Sequence, residues 1–190
     1  FIHNIATGCH VAERLHGELS PYPYVSSLIE GCLEKGKDIT AGGAHYTVGP
    51  AFIGTGISDL SNSLAAIKKF VYENKSVSMA EMVSAVVNNF KNRDNLKLRL
   101  FNQSPAFGND DDYVDEFARE MTDFAFNEIS RYKSYRGPGF ISGLYPVASH
   151  VPHGLVVSAL PYGRSAGTPL ADGCSPKGGT DKNGPTAVLK

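Results

Sequence analysis

Tryptophan is absent from this 190-residue sequence, and cysteine is scarce: Cys9, Cys32 and Cys174, an odd number at wide spacing. That usage argues against a disulfide framework and for a reducing compartment. Charge of one sign is missing too. Eighteen basic and nineteen acidic residues leave a net charge of −1, so nothing marks a nucleic-acid surface or an anionic-membrane surface, either of which needs clustered Lys and Arg. No apolar run approaches the roughly 20 residues that span a bilayer. Phe1-Ile2-His3-Asn4 lacks the basic start and apolar core of a signal peptide. There is no internal repeat and no low-complexity tract.

Glycine is abundant, with 20 residues against a usual share of about 7%. Most fall in loops, where backbone in special conformations needs them. The chain length allows one domain with a real core.

Helical spacing comes first along the chain. Ile5, Cys9, Val11, Leu15 and Leu19 predict a helix over residues 1–19. Ser20-Pro21 reads as a second helix start, with Val25, Leu28, Ile29, Cys32 and Leu33 on one face and Gly36 as its left-handed cap. Residues 37–55 have no helical period and read as loop with short extended pieces. Ser58 or Asp59 would cap a helix striped by Leu60, Leu64, Ile67, Phe70 and Val71. Ser78 and Glu81 form a capping box for another, enclosing Met82, Val83, Val86, Val87 and Phe90. Residues 91–108 read as a polar connection with one short helical turn. Asp111 or Asp112 opens a long amphipathic helix through Ile129, with acidic residues at the favourable end of its dipole.

The last fifty residues change character. Ile141–Val151 and Leu155–Leu160 are rich in Val, Leu and Tyr, which predicts strands covered on both faces. A long Gly, Pro, Ser and Asp loop follows, then a short third run, Thr186–Leu189. The fold class expected is α/β: residues 1–135 mainly helical and residues 139–190 strands and a long loop, together forming one partial domain over residues 1–190.

Several ordered segments carry a resemblance. They are Gly36-Lys37-Asp38, Gly42-Gly43-Ala44, Gly108-Asn109-Asp110-Asp111-Asp112-Tyr113-Val114-Asp115, Leu144-Tyr145-Pro146-Val147, Ala159-Leu160-Pro161-Tyr162-Gly163-Arg164, Pro169-Leu170-Ala171-Asp172-Gly173 and Gly184-Pro185-Thr186-Ala187. The chain resembles the glycyl radical enzymes, the family of pyruvate formate-lyase, and its dehydratase and decarboxylase branch in particular. The resemblance implies a segment of a ten-stranded α/β barrel surrounded by helices, with the strands at the C-terminal end. It implies radical cleavage of a C–O or C–C bond in a small organic substrate, in a cytoplasmic enzyme of an anaerobic organism. No cofactor would be bound; an activating enzyme using S-adenosylmethionine and an iron–sulfur cluster would install the glycyl radical. The full-length protein would be a homodimer, with no nucleic-acid or membrane partner. Because the chain starts at Phe1 and stops at Lys190 directly after an apolar run, we expect an internal piece of a longer protein. The competing reading is a non-catalytic α/β structural or partner-binding domain.

Gly31-Cys32-Leu33-Glu34 spells the family's radical-cysteine element, yet Cys32 falls on an apolar helical stripe. That predicts a buried structural thiol, with the active cysteine upstream of the chain and the glycyl radical loop downstream. No catalytic residue is therefore assigned. Substrate-cavity candidates are His45 and Tyr46, hydrogen-bonding side chains in a Gly-rich turn, and, by resemblance, Tyr145 and Val147. No metal site is expected: His150 and His153 lack further ligands at suitable spacing. Gly54-x-Gly56-x-x-Asp59 lacks the third glycine of a dinucleotide loop. Tyr162 stands where the family usually has Asp, and Arg164 is expected to pair with Asp172.

Overall fold

The apolar spacing at the N-terminus produces one long helix, α1 (Ile2–Leu19). Its only buried residue is Ala6, while Leu15 and Leu19 stay exposed. The next stripe does not run as one helix. The chain forms α2 (Pro23–Leu28), turns through an extended Ile29 and a left-handed Gly31, then forms α3 (Cys32–Lys35), ended by Gly36 in the left-handed region. The break has a steric cause. A Cβ on Gly31 would lie 2.8 Å from the His45 nitrogen, because the His45 N–H donates to the Glu30 carbonyl at 2.9 Å. Cys32 is buried in α3.

The computed structural model describes residues 1–190 throughout, and they fall into two units. The first comprises Phe1–Phe52 and Phe124–Gly143, the second Ile53–Asp123 and Leu144–Lys190. In the first unit, Ala6, Ile129 and Phe140 form a small buried cluster joined by Phe52 and Tyr132. Asp38 ties its loops together. The carboxylate accepts from the Tyr22 and Thr40 N–H groups and from the Ser26 and Thr40 hydroxyls. Glu13 on α1 accepts from the Arg136 Nε at 2.8 Å and from the Tyr135 N–H at 3.0 Å. A two-stranded sheet pairs β1 (Ala51–Ile53) with β2 (Ile141–Gly143).

The second unit holds the larger core. It is built on α4 (Ile57–Ile67), which continues as a π-helical turn over Lys68–Glu73, then α5 (Met79–Val87) and α6 (Asp94–Gln103). Phe70, Val77, Met82, Phe90, Leu100 and Tyr162 pack at its centre. Ser78 caps α5, its hydroxyl accepting from the Glu81 N–H at 3.1 Å. The segment expected to be a polar connection contains α6, anchored by fully buried Leu100. Its charged residues hid a helix whose apolar face is narrow. The long helix α7 (Asp112–Ile129) starts at the expected aspartates.

The expected stripe of α4 also differs. Leu60 is exposed, and the buried residues are Ser58, Asp59, Ser61, Asn62, Ser63, Ala65 and Ala66. Small side chains let other backbone approach this face, and its polar groups bond that backbone. Asp59 accepts from the Ala171 N–H, Ser58 from the Lys177 N–H and Asn62 from the Phe107 N–H.

The C-terminal strands are the main correction. Ile141–Val151 is a strand only over Ile141–Gly143; residues 144–149 are irregular and α8 (His150–Val156) follows. Leu155–Leu160 contributes only an isolated bridge, Leu160 to Arg164. Thr186–Leu189 lies in α9 (Pro185–Leu189), opened by Pro185 at a position needing no N–H. Strand propensity reports fit to a pleated surface, and here no neighbouring strand supplies one. Val147, for instance, gives its N–H to the Asp172 side chain. Pro152 is accommodated within the first turn of α8, where the N–H has no helical acceptor.

Candidate functional site

His45 and Tyr46 sit in the first unit, on a turn fixed by its backbone. Lys35 Nζ donates to the Ala44 carbonyl at 2.9 Å, and Ala44 is buried. The two aromatic side chains lie outside that frame: their ring centroids are 5.7 Å apart, and Tyr46 is 88% exposed. This arrangement offers a phenol hydroxyl and an imidazole with no partner of their own in the unit.

Tyr145 and Val147 share an irregular segment in the second unit. Tyr145 is 52% exposed, and Val147 is half-buried. Every backbone polar group of Val147 is held. Its N–H donates to Asp172 Oδ1 at 2.8 Å, and its carbonyl meets His150 Nδ1 at 2.8 Å. A carbonyl only accepts, so His150 Nδ1 carries the proton. Asp172 Oδ1 lies 3.5 Å from the same nitrogen. The next residue, Gly173, has φ +47°, and a Cβ there would lie 2.8 Å from the Tyr145 carbonyl carbon and oxygen.

Beside this segment lies a buried polar network. Tyr162 is 1% exposed, and its hydroxyl donates to Asp59 Oδ1 at 2.5 Å. Burial, followed by the Asp59 carboxylate, pushes the Tyr162 phenol pKa well up. Arg164 is also buried, but it does not pair with Asp172. It donates to the carbonyls of Gly154, Val157, Ser158 and Thr168. The expected ion pair gives way because Gly154 of α8, Val157 and Ser158 just beyond it, and Thr168 present carbonyls that a planar guanidinium reaches in several directions at once. Lys177, nearby, has its pKa lowered, first by burial.

Other sequence features resolve as structure. Gly56 N–H donates to the Ala171 carbonyl and Asp59 is committed to Tyr162 and Ala171, so the Gly54-x-Gly56 loop carries no free phosphate cradle. His153 Nδ1 lies 3.3 Å from the Thr55 hydroxyl. No group of three His, Cys, Asp or Glu side chains is arranged to hold a metal ion. No helix is long and apolar enough to cross a membrane. A cavity of about 500 Å³ in the second unit is lined by residues including Phe107, Asp112, Asp115, Arg119 and Cys174. None of His45, Tyr46, Tyr145 and Val147 lines it.

The sequence reading missed what Asp59, Asp172 and His150 do. Asp172-Gly173 was legible as part of a motif, but its hydrogen bond to a residue 25 positions away was not.

Against known proteins, a family model described as pyruvate formate lyase-like matches residues 1–154. The chain is 35% identical to trans-4-hydroxy-L-proline dehydratase of Clostridioides difficile, over 96% of this chain and 23% of that protein. It is 43% identical to isethionate sulfite-lyase of Bilophila wadsworthia, over 70% of this chain and 16% of that one. Among solved structures, the glycerol-bound B12-independent glycerol dehydratase from Clostridium butyricum matches with a TM-score of 0.92 at 37% identity, covering 98% of this chain and 24% of that chain. The chain thus spans about a quarter or less of the length of the relatives it matches.

Proposed function

This chain belongs to the pyruvate formate lyase-like family of glycyl radical enzymes, and on that footing we propose that residues 1–190 are an internal part of a radical lyase. The whole protein cleaves a C–O or C–C bond, or a bond of similar kind, in a small organic substrate. The observation that supports this reading is the likeness of nearly the whole chain to the glycerol dehydratase, at 37% identity and a TM-score of 0.92.

In this reading, an activating enzyme with S-adenosylmethionine and an iron–sulfur cluster installs the glycyl radical, and the enzyme works as a cytoplasmic homodimer without oxygen. In the same reading the radical is held by residues outside this chain, and Cys32, 2% exposed and built into α3, is a structural thiol. The chain's part is to shape the chamber. A radical intermediate needs a site closed to water, with a few polar groups that fix the substrate. In the second unit the candidates for wall are Tyr145 and Val147; in the first unit, taken by itself, His45 and Tyr46 are the candidates for hydrogen bonding to substrate. What supports these roles is that the backbone beside them is held: the His45 N–H donates to the Glu30 carbonyl, and the Val147 N–H donates to Asp172. Three of them, His45, Tyr46 and Tyr145, are exposed, and Val147 is half-buried.

The test uses the full-length protein, activated anaerobically with its activating enzyme. A glycyl doublet in the EPR spectrum is expected, together with turnover of glycerol, trans-4-hydroxy-L-proline, isethionate or a close analogue. Absence of both radical and turnover overturns the reading. Tyr145→Phe and Val147→Ala should shift the preference among these compounds.

A further inference from the structure

We propose that Asp172 and Gly173 are positioning residues: together they set the aim of Tyr145 and Val147, and through it the enzyme's choice among small polyol, imino acid and sulfonate substrates. The proposal rests on the reading of Tyr145 and Val147 as chamber wall.

Residues 144–149 have no strand or helix to fix their backbone. Pro146 removes one hydrogen-bond donor from the segment. The Val147 N–H is left as the donor between the two wall residues, and it goes to Asp172. A side-chain carboxylate here replaces the neighbouring strand that the composition led one to expect. Gly173 acts by what it lacks. Its left-handed backbone brings the Tyr145 carbonyl within the space that any Cβ would fill, so the chain lies flat against it. The Asp172-Gly173 pair therefore touches the backbone on both sides of Pro146, at Tyr145 and at Val147.

The clamp is itself anchored. Asp59 on α4 accepts from the Ala171 N–H, and the Leu170 N–H donates to the His150 carbonyl at 3.1 Å. The loop that carries Asp172 is thus fixed to a helix of the main core on one side and to α8 on the other. His150 closes the arrangement by donating to the Val147 carbonyl. A wall built on an irregular segment can point its side chains accurately only if such contacts decide the backbone torsions. A displacement of about 1 Å at a reacting centre costs on the order of a hundredfold in rate.

The role is that of an acceptor, which separates two substitutions. Asp172→Ala removes the acceptor; Asp172→Asn keeps an oxygen in place. Both are made in the full-length enzyme, activated anaerobically, with rates normalised to glycyl radical content by EPR. kcat/KM is measured for glycerol, trans-4-hydroxy-L-proline and isethionate. Asp172→Ala is expected to change the ratio of kcat/KM between the best substrate and the next by about tenfold, and Asp172→Asn to restore most of the wild-type ratio. Gly173→Ala should move the ratio in the same way by pushing on Tyr145. A purely structural role lowers all substrates by one common factor and leaves the ratio unchanged, which would overturn the proposal. Equal loss of discrimination in Asp172→Ala and Asp172→Asn would overturn it as well. If Tyr145→Phe and Val147→Ala alter the ratio while Asp172→Ala does not, the clamp alone fails. If none of them alters it, the wall reading fails first.

Discussion

The two units are held together by different means. The unit of Ile53–Asp123 and Leu144–Lys190 buries nine hydrophobic side chains in one cluster; the unit of Phe1–Phe52 and Phe124–Gly143 buries three. The smaller cluster leaves Leu19, Tyr24, Leu28 and Leu33 more than two-thirds exposed, and that unit relies on Asp38 and Glu13 as hydrogen-bond hubs. Apolar stripes in a sequence therefore do not say where stability resides. In the second unit it resides in that buried cluster, with the small residues of α4 letting backbone come close beside it; in the first it resides where carboxylates gather loose chain.

The sharpest way to break this comparison is a pair of truncations. Leu100→Ala, at a fully buried position, should cost about 2–5 kcal/mol. Leu28→Ala, at an exposed one, should stay within about 0.5 kcal/mol. Urea midpoints that fall equally would refute the difference. Next in size is Tyr162→Phe, which leaves buried Asp59 Oδ1 without its donor and should cost about 1–3 kcal/mol. Loss of the hydroxyl without loss of stability would show that the pair only tolerates burial. Glu13→Ala should cost about 1–2 kcal/mol, and hydrogen exchange should localise the effect to α1 and residues 132–140.

The smallest effects concern pH, and they point in opposite directions. Hydrogen bonds, first from the Thr40 hydroxyl, hold the Asp38 pKa below its ordinary 3.8. Asp38 therefore stabilises the first unit above that pH, and the contribution is lost as pH falls through the lower folded value. In the second unit, burial and then Glu73 push the Tyr113 phenol up to about 12 from 10.0; Tyr162 is raised further. Their contribution is intact below pH 10.0 and is lost as pH rises through the folded values. Acid should loosen the first unit and alkali the second. Tyrosinate absorbance in wild type and Tyr162→Phe checks the alkaline arm. Exchange at Tyr22, Ser26 and Thr40 in wild type and Asp38→Ala checks the acid arm.

Long helices were legible because a 3.6-residue period writes itself into the chain. α1, α5 with its Ser78 cap and α7 with its aspartates lie where the pattern put them. α6 was missed because the charges around Leu96 and Leu100 obscure a narrow apolar face. The strands were over-read because Val, Leu and Tyr describe burial and not hydrogen-bond partners. Among site residues, Tyr145 and Val147 were named by likeness to other proteins, whereas the groups that hold them, Asp172, Gly173 and His150, emerge only in three dimensions.

Composition, period and ordered motifs determined the family and the helical first part, since these depend on residues near one another in the chain or on their order along it. Tertiary structure alone decided that a polar face of α4 is the buried one and that an aspartate takes the place of a neighbouring strand at Val147. The reason is physical: a backbone N–H must be satisfied wherever burial denies it water, and the acceptor that does so can lie at any distance along the chain.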